Sequence, residues 1–152
     1  MGVEERLKEL GVELPPAATP VANYVPAVRT GNLVFLSGHG PVGKDGLITG
    51  KLGTDLTVEE GYSAARVVAI GLLGSLKAVI GNLDKVRRIV KLLGMVNCDP
   101  AFMDHPRVVD GASDLLVEAF GDRGKHARSA VGMNALPFDI AVEIEMIAEV
   151  ED

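Results

Sequence analysis

Ile140-Ala141-Val142-Glu143-Ile144-Glu145-Met146-Ile147-Ala148-Glu149-Val150 alternates with a period of two: every even position is apolar, whereas the odd positions include Glu143, Glu145 and Glu149. Successive side chains of a strand point to opposite faces, so the segment predicts a strand that packs one face against helices and turns an acidic face outward. A sheet covered by helices on one side only follows from this pattern.

Working outward, Ala127–Met133 reads as a preceding strand, joined to the last one through residues 134–139, where Pro137 marks a turn. Val86–Asn97 is apolar at both parities along much of its length, the pattern of a strand covered on both faces. Thr57-Val58-Glu59-Glu60 has capping-box spacing, and Tyr62, Ala65, Ala69, Leu72, Leu76, Val79 and Ile80 recur at the helical period up to a Gly81 stop. A second helix is predicted over residues 106–120, with Pro106 at its start, Val109, Ala112, Leu116 and Ala119 along one side, and Gly121 at its end. Segments 24–28 and 33–36 flank Thr30-Gly31-Asn32 as a hairpin. Pro41, Gly43, Gly46, Gly50 and Gly53 make residues 40–55 a loop, with one short strand at 47–49. The order ββ(β)αβαββ belongs to the α+β class: a mixed six-stranded sheet with two helices packed on one face.

Residues 3–10 have helix-forming composition, and Leu14-Pro15-Pro16-Ala17-Ala18-Thr19-Pro20 interrupts regular structure. Residues 1–20 therefore read as a helical appendage with a Pro-rich linker, and residues 21–152 as a single domain. The second face of the sheet is mixed, with Leu93 and Met95 opposite in parity to Leu92 and Val96. An apolar patch there predicts an oligomer.

A chain of 152 residues leaves no room for two independent domains. With 47% apolar and 24% charged residues it is a folding composition, and with 4% aromatics and no Trp it offers few platforms for stacking bases. A formal charge of −6 disfavours a nucleic-acid partner. Cys98, the one cysteine, excludes a disulfide framework within the chain. The charged start Met-Gly-Val-Glu-Glu-Arg lacks a signal-peptide stretch, and the longest unbroken apolar run, residues 67–74, is too short to cross a bilayer. A soluble cytoplasmic protein with no membrane partner is expected.

His39, His105 and His126 are too widely spaced for a local ligand motif, so no metal site is predicted; Gly31, Gly38 and Gly40 make no nucleotide-binding pattern. Cys98 has no recognisable partner in the sequence. The constellation that stands out is Arg128-Ser129 on one strand with Glu143 on the next. If the two strands pair about the turn at 134–139, Arg128 falls opposite the region of residues 143–145. That pairing has two readings. It is either a solvated cross-strand ion pair, or a guanidinium that binds a carboxylate while the Glu positions water.

Ala127-Arg128-Ser129-Ala130-Val131, then Leu136-Pro137, then Val142-Glu143-Ile144-Glu145, resembles the C-terminal signature of the Rid family, also called YjgF. Asn23-Tyr24-Val25-Pro26 with Gly31-Asn32-Leu33-Val34-Phe35-Leu36-Ser37-Gly38 is similar to the family's first hairpin, and Ile89-Val90-Lys91 to its central strand. The similarity runs from about Val21 to the C-terminus. It implies a chorismate-mutase-like fold assembled as a homotrimer, with sites in clefts between subunits. It also implies that Arg128 clamps a substrate carboxylate, that Glu143 activates water, and that Tyr24, Ser37, Gly38 and Ala130 line the pocket.

The implied reaction is cofactor-free hydrolysis of 2-imino or enamine acids, such as 2-iminopropionate, to 2-keto acids and ammonia. The small partner would be a carboxylate-bearing metabolite. Two alternatives stand beside it: an endoribonuclease or translation inhibitor, the family's other label, and a non-catalytic trimeric module that binds small carboxylates. The chain departs from the family pattern in Ser37-Gly38-His39-Gly40-Pro41, where many members read Ser-Gly-Gln, and in Asp114, at a helix position often held by Asn that faces the neighbouring site. An anion at Asp114 would disfavour a second substrate carboxylate.

Overall fold

The computed structural model describes residues 1–17 and 23–152. In chain order its elements are α1 (Val3–Glu9), β1 (Ala27–Thr30), β2 (Leu33–His39), β3 (Val42–Gly43), β4 (Gly46–Leu47), α2 (Val58–Ile80), β5 (Val86–Asn97), α3 (His105–Phe120), β6 (Ala127–Met133) and β7 (Val142–Val150). The expected capping box starts α2: Thr57 Oγ1 accepts the Glu60 N–H while the Glu60 carboxylate accepts the Thr57 N–H. Gly81, at a φ of 84°, ends it in the left-handed region that favours glycine.

The main sheet has five strands in the order β1-β2-β7-β5-β6, and β3 with β4 forms a separate two-stranded hairpin. This corrects the expected six-stranded sheet. The glycine-rich segment 40–55 gives strands of two residues each, too short to extend the main sheet. The sheet is mixed as expected, since β6 runs parallel to β5 and the other pairs are antiparallel.

A second correction concerns the strands around residue 137. They do not pair with each other, because β5 lies between them. Residues 134–141 cross the end of β5, and Asn97 ties them there: its N–H donates to the Ala141 carbonyl and its side-chain amide donates to Asp139 Oδ1 at 2.9 Å. Asn97 is fully buried, so these bonds satisfy groups that would otherwise be left without water.

The even residues of β7 are buried, as the alternation requires; α2 covers β7, while α3 packs on β5 and β6. Ala65, Ala69, Leu72 and Leu76 of α2 join Val109, Ala112 and Leu116 of α3 in one core with Val34, Leu36, Leu92 and Ile144 of the sheet. Val79, placed on the same stripe by periodicity, is 41% exposed at the end of α2. By length and composition α2 could cross a membrane, but its apolar stripe is buried against the sheet and α3. Gly111 lets the two helices approach, since a β-carbon there would strike the Tyr62 backbone.

The N-terminal segment is joined to this core. Val3 and Leu7 are buried within it, the Val3 N–H donates to Asp84 at 2.6 Å, and Pro15 rests on Gly74 of α2. The expected boundary between residues 20 and 21 lies outside the described residues.

Candidate functional site

Residues that face each other across paired strands share one side of a sheet. Arg128 pairs with Leu92, which pairs with Met146, so Arg128 is on the helix-covered face. Glu143 pairs with Met95, which pairs with Val131, on the open face. The two groups thus lie on opposite sides of the sheet with β5 between their strands. The expected juxtaposition of Arg128 with Glu143 within one chain is overturned, and with it any site that a single copy could build from both.

Each group has a built environment. Arg128 Nη1 donates to Asp110 Oδ1 at 2.8 Å and to Ser113 Oγ at 3.1 Å, both on α3. The Ser113 hydroxyl in turn reaches His126 Nε2 at 2.9 Å, while His126 Nδ1 lies 2.6 Å from the Gly124 carbonyl. A carbonyl only accepts, so Nδ1 carries the proton and Nε2 accepts from Ser113. Burial holds the His126 pKa below its ordinary value, and the nearby Arg128 charge adds to the effect. Nη2 and Nε of Arg128 have no partner among the described residues, so the second edge of the guanidinium is open for a bidentate contact.

On the open face, Glu143 lies across Gly38, where a β-carbon would collide with its carboxylate. Gly38 belongs to a bulge: three steps from Leu36 to His39 oppose two from Met146 to Ile144. The extra residue reverses the side-chain alternation, so His39 follows Leu36 onto the covered face and is buried against Ser75 of α2. There His39 Nδ1 donates to the Ser37 carbonyl at 2.7 Å and Nε2 accepts from Ser75 at 2.8 Å. Burial lowers the His39 pKa. Burial also raises the Glu143 pKa, and the charge of Glu145 pushes it further up.

Ser37 Oγ donates to the Val25 carbonyl at 2.7 Å, which fixes the chain beside the half-exposed Tyr24. Ser37, Gly38 and Glu143 therefore come together, with Tyr24 close in sequence to the Ser37 anchor. Ala130 shares the helix-covered face with Arg128 and packs on the core. Asp114 does not contact Arg128. It accepts the Tyr62 hydroxyl at 2.7 Å, which pushes the Tyr62 pKa up to about 12. Among the described residues, no cluster of three or more His, Cys, Asp or Glu side chains could hold a metal ion.

Comparison with known proteins places this arrangement. The family described as "YjgF/chorismate_mutase-like, putative endoribonuclease" matches residues 4–150. The chain belongs to the YjgF/chorismate-mutase-like family. Protein TCP17 of Trypanosoma cruzi is 43% identical over 152 residues, which cover 99% of this chain and 95% of that protein. The structure of Atu1372 from Agrobacterium tumefaciens superposes with a TM-score of 0.91 at 43% identity, covering 98% of this chain and 92% of that one. A structure from Shewanella oneidensis titled a putative endoribonuclease gives 0.95 at 35% identity, covering 99% of this chain and all (100%) of that one.

The YjgF match reaches back to residue 4 and takes in α1, whereas the resemblance read from the residues began at Val21. Sequence reading also missed Asp110, Ser113 and His126 as the setting of Arg128. Their signal was the three-residue spacing of Asp110 and Ser113, which puts both on one side of a YjgF-family helix next to the buried Val109 and Ala112. Cys98 also proves to have a partner, His105 Nε2 at 3.3 Å, although burial pushes its thiol pKa up and away from the reactive thiolate.

Proposed function

We propose that this protein hydrolyses 2-imino acids to 2-keto acids and ammonia at sites formed between copies in a homotrimer. The observation that carries the reading is that Arg128 and Glu143 occupy opposite faces of one sheet, each open to a second molecule. Exposed Val28, Phe35 and Val131 lie on the open face with half-buried Leu93 and Met95. That apolar surface supports an interface between copies. A head-to-tail contact repeated around a closed ring sets the β6 edge of one copy against the open face of the next. Arg128 of one copy then meets Glu143 of its neighbour.

In that cleft the open edge of Arg128 binds the substrate carboxylate through Nη2 and Nε. As the water oxygen bonds to the imine carbon, Glu143 takes a proton from the water, and the C=N electron pair moves to the nitrogen, which takes a proton from solvent. Protonated Glu143 then gives its proton to that nitrogen, and the hydroxyl proton passes to solvent as the C–N bond breaks, so ammonia leaves, the 2-keto acid remains and the carboxylate is restored. A carboxyl whose pKa is raised toward neutrality suits a base of this kind. The chemistry requires orientation and proton transfer, and the imine carbon is already electrophilic.

The test is to generate 2-iminopropionate in solution and follow its decay with wild type, Arg128→Ala and Glu143→Gln. Wild type should accelerate decay, and both variants should fall toward the buffer rate. Decay at the buffer rate with wild type ends the hydrolase reading. If wild type still binds carboxylates under those conditions, the protein is a binding module.

One observation favours RNA cleavage as a second reading. Arg87, Arg88, Lys91 and Lys125 are all exposed, and Arg88 reaches the Lys125 carbonyl, which gathers cations on an otherwise acidic chain. RNA binding that weakens steeply with salt and is lost on charge reversal at Arg87 and Arg88 would support it.

A further inference from the structure

The guanidinium proposed to bind carboxylate already holds an anion. Asp110 Oδ1 sits 2.8 Å from Arg128 Nη1, and Ser113 takes the same nitrogen. The side chains are 23% exposed for Arg128 and 45% for Asp110, so the pair is at a surface a ligand can reach. Among the described residues the other edge of each group has no partner: Nη2 and Nε of Arg128, and Oδ2 of Asp110. Asp110 also lines a groove of about 390 Å³ between α2 and α3 with Tyr62, Arg107 and Asp114, so its carboxylate is reachable from solvent, although Arg128 does not line that groove.

We propose that Asp110 is a specificity-determining residue that makes the Arg128 subsite select zwitterions, namely 2-imino acids in their protonated iminium form and free 2-amino acids, over simple carboxylates. The inference rests on Arg128 being the carboxylate anchor. A lone guanidinium would attract any anion. With Asp110 fixed beside it the pair is neutral, so a simple carboxylate gains from Arg128 and is repelled by Asp110. A ligand with a cationic nitrogen next to its carboxylate satisfies both open edges at once: the carboxylate on Nη2 and Nε, and the nitrogen on Oδ2. This role differs from the one expected of Asp114, which was to disfavour a second substrate carboxylate and whose own carboxylate accepts the Tyr62 hydroxyl.

The experiment compares two probes of nearly the same size, L-alanine and propionate, by titration calorimetry at neutral pH on wild type, Asp110→Asn and Arg128→Ala. Wild type should bind alanine more tightly than propionate. In Asp110→Asn alanine should weaken and propionate tighten, each by about three- to tenfold, the scale of one partly exposed charge contact. Asp110→Ser serves as the second variant if the amide misfolds, with thermal melting as the check. A change in the same direction for both probes, an unchanged ratio, or a wild type that binds neither probe overturns the assignment of Asp110. If Arg128→Ala binds both probes as wild type does, the carboxylate-anchor reading fails as well. If that variant loses both probes while Asp110→Asn leaves their ratio unchanged, only the role of Asp110 is wrong.

Discussion

The carboxylate of Glu143 lies so close over Gly38 that the glycine has no room for a β-carbon. The obstacle is the end of a flexible side chain, which can swing aside, so Gly38→Ala should move the base without unfolding the bulge. We expect imine hydrolysis to fall by about tenfold or more, because a small misplacement of a base is costly to rate. Stability should change by less than about 0.5 kcal/mol. Parallel measurement of turnover and thermal melting checks the split, and a large loss of stability with intact turnover would refute it.

Gly111 presents the opposite case. A β-carbon there meets the backbone of Tyr62, which cannot swing aside. Gly111→Ala should push α2 and α3 apart and destabilise by about 1–3 kcal/mol, the usual cost of overpacking. Urea unfolding is the measurement, with an unchanged midpoint as the contrary result.

Because Arg128 and Glu143 lie on opposite faces, a ring of mixed copies can rebuild sites from two inactive variants. Arg128→Ala and Glu143→Gln, each inactive alone, should regain activity when unfolded together and refolded as a mixture. At equal amounts about one contact in four (one half times one half) joins an intact Arg128 to an intact Glu143, so about a quarter of wild-type activity is expected. No recovery in assemblies shown by mass to be mixed would count against a shared site.

His39 and His126 set the dependence of stability on pH. Both have folded pKa values below the ordinary 6.5, chiefly through burial. Below 6.5 the unfolded chain takes up protons that the folded chain resists, so the contribution of these histidines is present above 6.5 and is lost as pH falls through their depressed values. Glu143 works the other way. Its pKa is raised above 4.5, so its contribution is present below 4.5 and is lost as pH rises through the raised value. The melting temperature should drop between about pH 7 and about pH 5.5, and the drop should shrink in His39→Gln, whose amide can still donate to the Ser37 carbonyl. An identical pH profile in that variant would remove His39 from the account.

Local structure is legible in the sequence where a single element carries its own cause. The alternation over residues 140–150 predicts the buried even positions of β7, and Thr57 with Glu60 and Gly81 predicts both ends of α2. The partner of β6 was not legible in the same way. A short connection around Pro137 has the look of a hairpin, whereas distant groups hold it over the end of β5: the buried Asn97, forty residues earlier in the chain (137 − 97 = 40), and the 48–51 segment, where the Gly50 N–H donates to the Asp139 carbonyl and Lys51 Nζ to the Asn134 carbonyl. The one-residue bulge at Ser37 and Gly38 was equally hidden, because a reversal of parity shows only once β2 is in register with β7. Arg128 and Glu143 were singled out one at a time, while their placement on opposite faces depends on which strand separates them.

That separating arrangement governs how the molecule is made. β7 is the last strand of the chain, yet it stands in the middle of the sheet between β2 and β5. During synthesis the β1–β2 hairpin and the β5–α3–β6 unit emerge as two halves with no strand to join them. The sheet closes only once residues 142–150 are in place, so β7 acts as the keystone that joins the two halves.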